Sequence, residues 1–463
     1  VSMNNVAVGT SAGQKITTGT QNTLIGGLAG DALTAAFENV AIGYEAQTTD
    51  TLGRRTVAVG NGALQSQNFT TATNSYNTAV GYDAGTAVTT GIQNTLIGGL
   101  AGDALLAAAD NVAVGFEALS TETGGQNNVA IGPRALKVQV NSSGNIYNTA
   151  VGANAGTAVT TGIQNTLIGG GAGDALTDAD SNVAIGYLSL TTDTLGSRAV
   201  AVGQGALFSQ NFTTATNSYN VGIGYETGGA ITTGRSNTLI GGLAGDALTD
   251  ADYNVAIGTD ALTADTLGSN SVAVGVGALY TQNFTTATDA YNVAVGRSAG
   301  LSVTTGAFNT LIGGLAGDAL TDGFDNVAVG KGALSTEDRG AKNTAIGHEA
   351  LLSQNAGTGN TFNTAVGASA GAAVTSGIQN TIIGGLAGDS LTDADMNVAI
   401  GYLALTSDTL GSRSVAIGMN SLQAQNFTTA TDTYNTAVGH NAGAEVTTGI
   451  NNTLIGGLSG DAL

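Results

Sequence analysis

The chain contains no cysteine and no tryptophan, and its single proline is Pro133. Without cysteine there is no disulfide framework and no thiolate metal site, although the redox compartment stays open. Aromatic residues make up only 5% of the 463 residues. Large side chains are thus too few to fill a conventional globular core, and a thin core of Ala, Val, Ile and Leu is expected. Lys and Arg number 12 against 33 Asp and Glu, a formal net charge of -21. The basic stripe needed to track a nucleic-acid backbone is missing, whereas solubility and attraction for divalent cations are favoured. There is no run of about 18 apolar residues, which argues against membrane insertion in this segment. The start, VSMNN, has neither an initiator Met nor a signal-peptide pattern, so the chain is expected to be processed or a piece of something longer.

What is abundant is glycine, 72 residues, about twice ordinary usage. It recurs at fixed places. The stretch NTLIGGLAGDAL at Asn22 returns almost letter for letter at Asn94, Asn165, Asn237, Asn309, Asn380 and Asn452. It is one of four related segments that together form a cycle. Cycles begin at Asn5, Asn77, Asn148, Asn220, Asn292, Asn363 and Asn435, and their segments total 26. Segments are 17 residues long except the fourth of each cycle, which is longer by three or four. No linker, Pro/Ser-rich tract or charge run interrupts the pattern. Residues 1–463 therefore read as one continuous repeat domain.

Each segment opens on Asn-(Thr/Val)-apolar-(Val/Ile)-Gly. In Asn39-Val40-Ala41-Ile42-Gly43 the β-branched residues alternate, the period-two signature of a strand with Val40 and Ile42 on one face. Gly fills the fifth place in all 26 segments, from Gly9, Gly26, Gly43 and Gly60 onward. A strand that always ends in Gly ends in a turn. Asn opens 22 of the 26, as at Asn22 and Asn39; the exceptions are Thr56, Ala199, Ser271 and Ser414. Corner Asn side chains can bond their own backbone or one another across coils. A second short apolar run, such as Leu28-Ala29-Gly30, predicts a second strand in each segment. Two strands and two turns in so few residues leave no room for helices. The expected fold is all-β, a parallel β-solenoid (β-roll) of about 26 coils of 17 to 21 residues.

The repeated NVAIGxxAL unit resembles the head repeats of YadA-like trimeric autotransporter adhesins. It is also similar to β-solenoid repeats of viral tail fibres and bacterial surface fibres. The resemblance covers essentially the whole chain, though the coils here are longer, and no neck, stalk or membrane-anchor segment is recognisable. It implies a left-handed roll and a side-by-side homotrimer. It also implies an extracellular or cell-surface fibre segment with an adhesive role toward a host-surface or matrix receptor or glycan. A virion tail-fibre shaft and an end-to-end filament are the alternatives.

Candidate sites are few. Gly26-Gly27-Leu28-Ala29-Gly30-Asp31 nearly matches the glycine-aspartate nonapeptide of calcium-binding rolls. Its aspartates Asp31, Asp103, Asp174, Asp246, Asp318, Asp389 and Asp461 fall once per cycle, roughly 19 Å apart, so they cannot share Ca2+ within one chain. The pairs Asp178/Asp180, Asp250/Asp252 and Asp393/Asp395 add nearby oxygens, six to eight of which calcium requires. A solvated turn is the simpler expectation, and no cofactor is expected. Thr17-Thr18 and its equivalents recur too sparsely for an ice-binding array. His348 and His440 each follow a strand Gly, five coils apart, so neither partners the other and no acid, base and nucleophile set assembles; no enzyme is expected. The long fourth segment carries the aromatics Phe69/Tyr76, Phe212/Tyr219, Phe284/Tyr291 and Phe427/Tyr434. These are expected to bulge outward as a contact strip or an inter-chain seam.

Overall fold

In the computed structural model, which describes residues 3–463, the chain is an all-β parallel β-solenoid, with no helix among the described residues. Its 26 three-residue strands match the Asn-to-Gly units one for one. The chain divides into two compact units, one ending at Thr233 and the other spanning Gly234–Leu463. Each contains 13 of these strands, and at about 4.8 Å per coil each unit is a column about 60 Å tall. Inside a unit the strands pair in parallel and in register with the coils on either side. Val40, Ala41 and Ile42 stand opposite Thr23, Leu24 and Ile25 on one flank and Val57, Ala58 and Val59 on the other.

The period of two holds, but the inward residue is the middle one. Ala41, Ala58 and Leu24 are fully buried, whereas Val40 and Ile42 face outward, half-buried. The core is therefore mainly Ala and Leu, and the strand Val and Ile residues lie on the outside. Only one strand position per coil points inward, and the space behind it is tight. A methyl added at Gly30, on the wall opposite the strand, would sit 2.8 Å from both Leu24 Cδ2 and Leu33 Cδ1. Volume is exchanged between the walls. Where the strand supplies Leu24 or Leu96 the opposite wall has Gly30 or Gly102; where it supplies Ala58 or Ala113 the opposite wall has Leu64 or Leu119. Large meets small in these coils, and where both walls are small, as at Ala79 and Gly85, Leu64 and Leu96 reach in from the flanking coils, as close packing demands.

The second apolar run is not a strand, contrary to the expectation. It is a chain of turns in which every second residue takes a left-handed conformation, as at Leu28, Glu45 and Gln47. Its backbone still bonds from coil to coil, with Gly30 N–H donating to Ala46 O at 2.9 Å and Leu28 N–H to Thr10 O at 2.9 Å. The invariant strand glycines are demanded twice over. Gly43 has φ +137°, and a Cβ there would lie 2.3 Å from Gly60 O in the next coil. No other residue combines that dihedral with that approach.

Candidate functional site

The corner asparagines lie inside the coil. Asn39 is fully buried; its Nδ2 donates to Gly53 O at 3.0 Å and its Oδ1 accepts from Thr56 N–H at 3.0 Å. The same pair of bonds recurs at Asn182, to Gly196 O and from Ala199 N–H, and at Asn254, to Gly268 O and from Ser271 N–H. Each side chain thus satisfies a carbonyl near the end of its own coil and the N–H that opens the next. Direct bonds between asparagines also occur, as from Asn22 Nδ2 to Asn5 Oδ1 at 3.1 Å. They are secondary to the backbone pairing.

The four exceptions become intelligible at the long coil. Where Thr56 replaces Asn, the next cycle's Asn77 N–H donates instead to Ser75 Oγ at 3.3 Å, and Thr56 and Ser75 hydroxyls meet at 2.7 Å. Ser414 and Thr433 repeat this arrangement. Where the third cycle meets the fourth, Asn220 N–H likewise donates to Ser218 Oγ at 3.5 Å, and within the fourth Ser271 Oγ accepts from Gln282 Nε2 at 3.0 Å.

Sequence reasoning missed a set of buried carboxylates beside these hydroxyls. Asp50, Glu122, Asp193, Asp265, Glu337 and Asp408 are fully buried, one per cycle. Asp193 Oδ1 accepts from Gly196 N–H and Phe212 N–H, both at 3.0 Å, while Oδ2 accepts from Gln210 Nε2 at 2.5 Å. Gln210 Oε1 in turn accepts from Asn220 Nδ2 at 2.8 Å. The carboxylate-Gln-Asn chain recurs in every cycle. It holds the long tail to its coil by the backbone N–H of the Phe, which is what buries that ring, or, in the two tails without this Phe, by Asn141 N–H and Ala356 N–H. Burial pushes the Asp193 and Asp265 carboxyls above their ordinary value, although the Gln side chains and backbone N–H groups pull the other way. The signal was present in the sequence as Asp50 and Gln67, one 17-residue coil apart.

The aromatic strip must be corrected for its phenylalanines. Phe69, Phe212, Phe284 and Phe427 are only 5–7% exposed and cap the interior; Tyr76, Tyr219, Tyr291 and Tyr434 are 51–54% exposed. The tyrosines do not stand alone. Arg55, Arg198 and Arg413 lie over Tyr76, Tyr219 and Tyr434, with the guanidinium carbon 5.6 to 5.8 Å from the ring centre. Tyr291 instead stacks on Phe308 at 5.9 Å.

The nonapeptide aspartates are not brought together, and among the described residues no three His, Asp or Glu side chains converge as a cation would require. Asp31, Asp174, Asp246 and Asp389 each accept a hydrogen bond from a threonine one coil on, Thr48, Thr191, Thr263 and Thr406. At Asp103 and Asp318 that position is Ser120 or Ser335, their Oδ1 atoms have no partner, and burial raises both carboxyls. Asp461 is half-buried. The turn pairs reach back one coil: Asp180 and Asp395 accept from Ile163 N–H and Ile378 N–H at 2.8 Å. His348 and His440 are exposed, and His348 lies 3.6 Å from Glu349.

The largest coherent surface feature is the strand face. Its two outward ranks are Thr or Val at the first strand position and Val or Ile at the third. Ile25, Ile97, Ile168, Ile312 and Ile383 are 37–39% exposed in that second rank. Left-handed residues such as Tyr76 border it on one side, and residues that follow the strand Gly, such as Tyr44, Tyr82 and Tyr187, border it on the other. The arrangement defines a repeat protein of the parallel β-solenoid class. Compared with known protein families and with characterised proteins, the chain matches none.

Proposed function

We propose that the chain is a structural segment of an extracellular fibre, akin to the head of a YadA-like trimeric adhesin, that associates side by side with copies of itself as a homotrimer. The observation that carries this reading is the strand face, where β-branched apolar side chains recur in register through every coil of each unit. Exposed apolar surface on that scale marks an interface in soluble proteins, and a repeated flat surface is complementary to a copy of itself. The seam is thus assigned to the Thr/Val and Val/Ile ranks, with the tyrosines as its border. The role is mechanical and non-enzymatic: to hold or project an adhesive surface at the exterior of a cell or virion. Neither the buried carboxylates nor the exposed histidines converge on a cavity where chemistry could be shielded from water.

Mass in solution tests it. The full chain is expected to run as a trimer, and the triple variant Ile25→Lys, Ile97→Lys, Ile168→Lys as a monomer with an unchanged β-type circular dichroism spectrum. A monomeric parent chain at micromolar concentration would remove the basis of the reading.

A further inference from the structure

Cations are scarce in this chain, 12 Lys and Arg in all, and nearly all are engaged locally. Arg55, Arg134, Lys137, Arg235, Arg339 and Arg413 pair with carboxylates. Arg54, Arg198 and Lys342 lie over aromatic rings. Among the described residues, only Lys15, Arg297 and Lys331 have neither kind of partner. Two of these three stand on the same column, the one formed by residues that follow the strand glycines. Arg297 and Lys331 are two coils apart, about 9.6 Å, with Gly314 between them.

That glycine is uncovered, as are Gly242 and Gly457, whereas its four other counterparts are not. At Gly27, Gly99, Gly170 and Gly385 the ring of Tyr44, Phe116, Tyr187 or Tyr402 in the next coil lies 3.3 to 3.6 Å from where a Cβ would stand. In the cycle of Gly314 the lid is Lys331, and the nearest atom to such a Cβ is Arg297 O at 3.9 Å. The result is an open depression of about 480 Å³ lined by Arg297, Ser298, Gly314, Leu315 and Lys331, with no carboxylate among them. The column continues one coil further to His348.

We propose that this notch is a binding site for an acidic saccharide residue, whose oxyanion sits between Arg297 and Lys331. Two unpaired cations on one column of a strongly acidic protein supply a local field of the opposite sign to the rest of the surface. Arg presents a planar donor fork suited to a carboxylate or sulfate oxygen pair, and Lys a mobile point charge. Ser298 adds a hydroxyl, and Leu315 an apolar floor. The depression is larger than a bare ion needs and falls within the range of small-molecule sites, which leaves room for a sugar ring beside the charged group. All five lining residues lie within one chain, on the border of the strand face.

The test is calorimetric titration of the full chain at low salt with glucuronate, with a sulfated monosaccharide and with inorganic sulfate. Three variants accompany it: Arg297→Gln with Lys331→Gln, Gly314→Tyr, and Lys15→Gln. The first removes the charge. The second fills the notch while leaving both cations, and it is sterically open because Gly314 has an ordinary φ and no close neighbour. The third neutralises the remaining unengaged cation elsewhere. Saturable binding of either sugar, weakened at least tenfold by the first two variants and unchanged by the third, supports the site. The preferred sugar then separates a carboxylated from a sulfated ligand. No binding of either sugar, binding of inorganic sulfate equal to that of the sugars, or equal loss in Lys15→Gln overturns it.

Discussion

Replacing Asn182 by alanine tests the claim that buried corner asparagines join one coil to the next. The substitution leaves the Asn182 N–H bonded to Asn165 Oδ1 at 2.9 Å. It removes the partner of Gly196 O and the partner of Ala199 N–H, at 2.9 and 2.8 Å. Both groups are inside the coil, so each is left unsatisfied at about 1–3 kcal/mol, or about 2–6 kcal/mol for the pair. In a stacked array that loss falls on the interface between neighbours rather than on the whole column. Native-state hydrogen exchange reads it locally. The Ala199 amide and those of the flanking strands are expected to exchange at least about 30-fold faster, from 1.4 kcal/mol per tenfold. Amides four coils away are expected to hold their rates. Ser181→Ala, which removes only a solvent-facing hydroxyl bond to Gln164 Oε1 at 3.3 Å, serves as control and should change these rates far less. Unaltered protection at Ala199, or acceleration spread evenly over the unit, would refute the assignment.

Gly43→Ala should be more damaging than any surface change, since a left-handed strain of about 1–3 kcal/mol adds to a 2.3 Å approach to Gly60 O; denaturant unfolding followed by circular dichroism measures the drop. Phe69→Ala should lower stability by about 3–5 kcal/mol because the ring is nearly buried, whereas Tyr76→Ala should leave the unfolding midpoint where it was; equal effects would contradict their opposite orientations. The pH dependence follows from Asp193 and Asp265, whose folded-state carboxyls are raised by burial. The folded chain then binds more protons than the unfolded chain between the ordinary carboxylate value and the raised one, so stability falls as pH rises through that window and is regained on acidification. Thermal midpoints of Asp193→Asn with Asp265→Asn should show a flatter pH slope than the parent; an identical slope would place the proton uptake elsewhere.

Much of the architecture was legible because the repeat length and the backbone geometry coincide. One invariant glycine per circuit, a period of two before it and no helical periodicity suffice to predict parallel coils, and register follows from the recurring corner. Which face points inward was less legible. Val40 and Ile42 look like core residues by hydropathy, but they flank the one inward strand position, which Ala41 fills here and Leu24 or Ile382 elsewhere. Phe69 and Tyr76 were grouped as surface aromatics because a longer coil must bulge somewhere. What separates them is the Asp50 carboxylate, which captures the Phe69 N–H at 3.1 Å and turns that ring in. A buried carboxylate is hard to foresee from an acidic composition, where most acids are solvated. The Arg297 and Lys331 notch was likewise invisible until ion pairs and ring contacts had accounted for the other cations.

The in-register stacking also makes length a free variable. Excising residues 77–147 would splice Tyr76 onto Asn148, recreating the Tyr-Asn corner found at Tyr147-Asn148. The Gln67 amide that serves Asn77 would then serve Asn148, as Gln139 does. Each removal or insertion of a cycle would add or subtract one whole unit of the column without disturbing a single interior bond pattern. Shorter and taller versions of the same column are therefore reachable by that step alone, with no need for a compensating point mutation.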